Sequence, residues 1–198
     1  MSSAPSNRTA QPTPAQARSQ AASAGRWSVV VENSEARFHV RDKLVTTVHG
    51  SMPIEAGTVV VADDGTVTDA WISLSAPGIA TGNSHRDRDL RKPRFLDAAA
   101  FPSVRVEVEA ATSTPTGCTA RAGVLARGMR APLDLTAETV AEAGAEVRIR
   151  VSGRLDRLPL GIKAPTFVIG RYLDLEADLT LRRQPPERAT PLGGQART

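Results

Sequence analysis

The chain has 198 residues, 40% of them hydrophobic and 4% aromatic, which is enough for one filled domain; with no internal repeat it is no solenoid or propeller. Its formal charge is +4, but the two ends hold most of the excess, so the core from residue 26 to 183 is nearly neutral and lacks the basic stripe that nucleic-acid binding requires. Cys118 stands alone, which excludes an intramolecular disulfide and Cys-based zinc or redox motifs.

Residues 1–25 mix Ser, Ala, Gln and Pro with no large aliphatic or aromatic side chain after Met1, so they are expected to form a disordered tail. They lack the run of roughly 7–15 apolar residues of a secretory signal, and no run of about 18 apolar residues occurs anywhere. Neither export by that route nor a membrane span is therefore expected, and a cytoplasmic location is. From Trp27 onward the pattern turns extended, with Trp27 to Val31, Ala36 to Val40, Leu44 to Met52, Gly57 to Val61 and Ala70 to Leu74 reading as strands. Ala62-Asp63-Asp64-Gly65 carries hairpin-turn chemistry. The histidines His39, His49 and His85 do not follow a metal-binding spacing, although His39 and His49 can meet across a hairpin; no metal site is predicted.

Residues 77–102 break the alternation and are too long for an ordinary hairpin loop. Asn83 or Ser84 caps a short helix running to Arg91, which Pro93 stops. A second turn starts at Asp97, whose side chain is expected to accept from the amides of Ala99 or Ala100, and Pro102 ends it.

Beyond this segment, strict alternation returns in Val104 to Ala110, in Glu146 to Leu155 and in Leu173 to Leu181, where apolar residues alternate with Arg, Asp and Glu. Thr119 to Ala126 and Ala131 to Thr136 follow it less cleanly. The count is eight or nine half-buried antiparallel strands, for which a sandwich and a closed barrel are both solutions. Residues 184–198 form a second disordered tail, leaving 26–183 as the single domain. The scarcity of aromatics means that any cavity is lined by Val, Leu, Ile and Ala, which suits aliphatic ligands. Use of 22 Arg against 3 Lys points to a GC-rich bacterial source.

Thr81-Gly82-Asn83, Arg86-Asp87, Leu90-Arg91, Phe95-Leu96-Asp97 and Phe101-Pro102 together resemble the signature of the YceI-like family. The resemblance extends from Trp27 through Phe38-His39-Val40, Val45 to Gly50, Gly123-Val124-Leu125, Arg130 to Leu133 and Arg157 to Gly161, covering about residues 26–182. Asp89 stands where the family usually has His in its HLR triplet. The resemblance implies an all-β fold: one antiparallel, eight-stranded, lipocalin-like β-barrel with short helical turns in a long crossover segment. It also implies non-catalytic binding of an isoprenoid or other long-chain amphiphilic lipid inside the barrel, with no cofactor.

Phe38, Val40, Trp71, Leu90, Phe95, Leu96, Phe101 and Phe167 are the large apolar residues placed at the cavity. Trp71 and Ile72 face opposite sides of one strand, so only one of the two can line it. Asn83, Arg86, Asp87 and Arg91 are assigned either to an anionic headgroup or to a hydrogen-bonded cluster that pins the crossover to the barrel. Two other functions compete: an interaction module whose barrel is filled by its own side chains and, less favoured, an enzyme. No Gly-rich phosphate loop, nucleophile elbow, zinc-protease motif or partnered Cys nucleophile is present, so no catalytic residue is assigned. Expected partners are a lipid and, transiently, a membrane surface, but not nucleic acid; homodimerisation is left open.

Overall fold

The computed structural model describes residues 23–41, 47–162 and 170–185. Most of the two expected tails, and part of the strand expected from Leu44, lie outside these residues. The described chain forms β1 (Gly25–Val29), a 3-10 turn (Val31–Asn33), β2 (Glu35–Arg41), β3 (Thr47–Ser51), β4 (Ile54–Val61) and β5 (Val67–Ser75). After the crossover and its single helix α1 (Ser84–Leu90) come β6 (Ser103–Thr114), β7 (Gly117–Ala126), β8 (Met129–Ala143), β9 (Glu146–Asp156) and β10 (Tyr172–Arg183).

All pairings are antiparallel, and the order β1-β4-β5-β6-β7-β8-β9-β10 closes on itself because β1 also pairs with β10. Eight strands therefore form a closed barrel, and closure removes the exposed edges that a sandwich would keep. β2 and β3 extend this ring rather than enlarge it. β2 lies end to end with β1 along β10, pairing with Leu173 to Asp178 where β1 pairs with Leu181 to Arg183. Thr180 holds the join: its amide donates to Ser34 Oγ at 3.0 Å and its hydroxyl to the Asn33 carbonyl at 2.9 Å. The kinked backbone thus leaves this buried threonine satisfied.

The strands alternate as their sequences require. Val147, Ile149, Val151 and Leu155 turn inward on β9, while Arg150 and Arg154 face out and pair with Asp178 and Asp174 of the next strand, both at 3.1 Å. This polar exterior is the reverse of a transmembrane barrel, which needs an apolar outer band. Among the described residues, no helix is long and apolar enough to cross a membrane.

The interior is filled unevenly. At the end carrying the β4–β5, β6–β7 and β8–β9 turns, Trp27, Ile54, Val61, Val147, Leu179 and Leu181 pack into a buried plug. Trp27 is 1% exposed and its indole N–H is satisfied by the Ser23 carbonyl at 3.0 Å. At the other end, covered by the crossover, a second cluster that includes Ile79, Leu96, Val124, Leu133 and Leu160 surrounds open space.

Candidate functional site

The open space is an apolar cavity of about 410 Å³. Its walls are the inward positions of the alternating strands: Phe38 and Val40 of β2, Ile72 and Leu74 of β5, Val104 and Val106 of β6, Val124 of β7, Leu133 and Leu135 of β8, Val151 and Leu155 of β9, and Leu173, Leu175 and Leu179 of β10. Ile79, Leu90, Phe95 and Leu96 of the crossover, with Leu160 and Ile162 beyond β9, complete the lining at the covered end. Two glycines shape it. A Cβ on Gly50 would lie 2.2 Å from Cζ of Phe38, so this ring lies flat on β3 only because Gly50 has no side chain. Gly153 similarly admits Leu133 and Leu135 against β9.

Polar side chains reach the cavity at the covered end, and Thr81 organises them. Its amide donates to Asp87 Oδ1 at 2.9 Å and its hydroxyl donates to the same oxygen. Arg86 Nε donates to Thr81 Oγ1 at 2.7 Å and Nη2 to the Thr81 carbonyl at 2.8 Å. Arg86 and Thr81 line the cavity, whereas Asp87 is turned to Thr81. Asn83 caps α1, its side-chain oxygen accepting from the amides of His85 and Arg86, both at 3.1 Å. Arg91 donates to the Ile79 carbonyl at 3.1 Å and does not line the cavity. The four residues assigned to this cluster thus divide: Arg86 faces the cavity, and Asn83, Asp87 and Arg91 hold the crossover.

Arg157 is a second cavity-lining cation, 2% exposed. Its guanidinium donates to the carbonyls of Gly170, at 2.9 Å, and Ile162. Burial lowers its pKa from the ordinary arginine value, opposed by the nearby Asp156 carboxylate. Asp156 is itself held below the usual carboxylate range, first by its hydrogen bond with Arg171. Arg37, Ser152 and Glu176 border the cavity too, but from outward-facing positions in register across β2, β9 and β10.

Phe38, Val40, Leu90, Phe95 and Leu96 all lie on the cavity wall. Trp71 does not: it is Ile72 that turns inward, and Trp71 packs on the outer surface under the guanidinium of Arg105, 4.1 Å from the ring centre. Phe101 is also displaced from the expected position, being 37% exposed beside Gly128. The cause is local: Asp97 adopts φ 49° and its backbone carbonyl, not its side chain, accepts from Ala100 and Phe101, carrying the chain back over the outside. Phe167 lies outside the described residues. Arg157 and the leucines of β8 and β10 were not singled out from the sequence, although alternation already marks the leucines as inward.

His39 and His49 do meet, in register on β2 and β3 with Nδ1 atoms 2.7 Å apart, on the outer face. Glu176 lies 3.5 Å from His39 Nε2. Among the described residues, no group of three His, Cys, Asp or Glu is arranged to hold a metal ion. The Cys118 thiol has its pKa raised by burial, which suppresses the reactive thiolate.

The YceI-like domain model matches residues 27–181. No curated protein matches the chain. Among solved structures, it is similar to Burkholderia cenocepacia BcnA, at 11% identity and a TM-score of 0.65 over 77% of this chain and 98% of that one. The Campylobacter jejuni YceI protein aligns at 14% identity and a TM-score of 0.63, over 71% and 88%. A polyisoprenoid binding domain from Saccharophagus degradans, implicated in plant cell wall breakdown, aligns at 11% identity and a TM-score of 0.59, over 80% and 98%. At these identities the likeness establishes the fold.

Proposed function

The chain belongs to the YceI-like family, and from that premise we propose that it binds a single-chain aliphatic amphiphile, of isoprenoid or similar type, inside its barrel without transforming it. The observation that carries this reading is the hollow itself: about 410 Å³ walled by Val, Leu, Ile and Phe, where a filled barrel would have interdigitated side chains. The similar fold of a polyisoprenoid binding domain supports the choice of ligand class.

Size limits the ligand. A methylene occupies roughly the share of a water in its liquid, ~30 Å³, so the cavity holds on the order of 14 carbons, about three isoprene units. Burying that many groups at about 0.8 kcal/mol each yields ~11 kcal/mol before association entropy is subtracted, which leaves useful affinity without polar contacts. Arg86 and Thr81 offer the polar contact at the covered end, and an anionic or hydrogen-bonding headgroup fits there better than at the all-apolar plug.

The direct test is solvent extraction of the purified full chain followed by mass spectrometry, with titration of fluorescent prenyl and acyl probes of graded length. A stoichiometric aliphatic lipid, with affinity rising to about C15 and then levelling as further carbons stay in water, is the expected result. An empty extract together with no probe binding at any length overturns the proposal.

A further inference from the structure

Five large apolar side chains are exposed among the described residues, and four of them sit at the crossover end: Phe101 at 37%, Leu158 at 41%, Tyr172 at 45% and Met129 at 46%. Arg127 ties their supporting segments together. Its guanidinium donates to the carbonyls of Gly161 and Pro93, both at 2.8 Å, joining the β7–β8 turn, the segment after β9 and the crossover into one surface. Gly128 lies against the Phe101 ring and Gly161 against Met129 Sδ, so Phe101 and Met129 flank this clamp.

The same surface is cationic. The crossover carries Arg86, Arg88, Arg91, Lys92 and Arg94 against Asp87, Asp89 and Asp97. Asp87 is hydrogen-bonded to Thr81 and Asp89 is paired with Lys92 at 2.7 Å, while Arg88 and Arg94 are exposed. Arg94 lies over the Phe95 ring at 4.7 Å, so its charge is held at the rim beside an apolar base. The opposite end differs. Its turns at 62–66, 115–116 and 144–145 hold Asp63 and Asp64 but no Lys or Arg; of the strand residues beside them, Arg182 pairs with Glu146, Arg183 bonds to the Ala24 carbonyl, and exposed Arg26 and Arg148 are offset by exposed Asp69, Glu138 and Glu142.

We infer that the crossover end is a docking surface for an anionic lipid bilayer. Exposed Phe, Leu, Met and Tyr enter the interfacial layer while the surrounding arginines meet lipid phosphates, the pairing of apolar and basic groups that holds peripheral proteins on membranes. Continuity favours a bilayer over a folded protein partner: the crossover and the segment after β9 also line the aliphatic cavity from within, through Leu90, Phe95 and Leu160. Docking does not require the cavity to be occupied, so it stands or falls apart from the ligand.

The full chain is sedimented with vesicles of phosphatidylcholine alone and of phosphatidylcholine mixed with phosphatidylglycerol. Binding to the mixed vesicles that weakens with added salt is expected, with little binding to the neutral ones. Arg88→Glu with Arg94→Glu, on exposed side chains, should weaken partitioning by roughly thirtyfold or more. A Leu158→Trp variant should show a blue-shifted emission with mixed vesicles only, which reports insertion at the named position. Equal binding to both compositions, unchanged binding of the charge-reversed variant, or binding without the Trp shift would each overturn the inference.

Discussion

Val106→Phe tests the hollow barrel in both of its consequences. Val106 is half-buried on β6, between Ile72 of β5 and Val124 of β7 in register, and all three line the cavity. The larger ring has room inward and displaces on the order of two methylene-sized groups of ligand, a loss of ~1.6 kcal/mol at about 0.8 kcal/mol each. That corresponds to roughly fifteenfold weaker binding of a C15 prenyl probe. The free protein should respond in the opposite sense, because filling void recovers about 24 cal/mol per Å³, or ~1.2 kcal/mol for ~50 Å³ of new side chain. Probe titration and thermal unfolding of ligand-stripped protein measure the two effects. Unchanged probe affinity, or a lower melting temperature with weakened binding, would refute the claim that the space is empty and is where the lipid goes.

Three further outcomes follow from particular contacts. Asp87→Ala leaves the Thr81 amide and hydroxyl without their acceptor and should cost about 1–3 kcal/mol in denaturant unfolding, with faster amide exchange across α1. Gly50→Ala places a methyl into the Phe38 ring and should cost about 1–3 kcal/mol while shrinking the cavity, read as lower stability together with weaker probe binding. Asp156 has a depressed pKa in the folded state, chiefly through its hydrogen bond with Arg171, so its contribution is present above the usual carboxylate range and is lost as pH falls through the depressed folded value. The stability gap between wild type and Asp156→Asn should therefore narrow on acidification in pH-resolved unfolding; a constant gap would show that the Arg171 pairing is not its source.

The barrel was legible where strands are half-buried, because one wet and one dry face impose a period of two. It faded where both faces meet water: β8 continues to Ala143, but beyond Thr136 its residues are mostly exposed, and the expected strand stopped there. Closure depends on β1 meeting β10, a pairing between chain ends that no local pattern carries; it came from the family resemblance. At the site, Asn83 was readable as a cap because its chemistry is local. Trp71 and Phe101 were misplaced because size and hydrophobicity do not say which face a side chain takes. Register turned Trp71 outward, and a left-handed Asp97 turned Phe101 outward.

The plug and the cavity are best understood together. An empty apolar space costs stability, and a barrel hollow along its whole length would lose contacts in every layer. Here Trp27, Val147 and Leu181 close one end, and β1 and β10, which close the ring, meet within that plug. Trp27, Val147 and Leu181, which seal the barrel, are thus not residues that face the ligand space, and Leu179 forms the boundary between plug and cavity. The covered end rests on buried Ile79, Leu96 and Leu160 around the cavity, on hydrogen bonds to Thr81 and on arginines bound to backbone carbonyls. Because the crossover borders empty space on its inner side, it loses fewer contacts on opening than the packed plug does, so ligand should enter beneath it. Amide exchange in the ligand-free protein offers the measurement: protection should be lowest in 77–102 and highest along β1 and the C-terminal half of β10. The reverse order would place the entrance at the plug and separate ligand entry from the crossover.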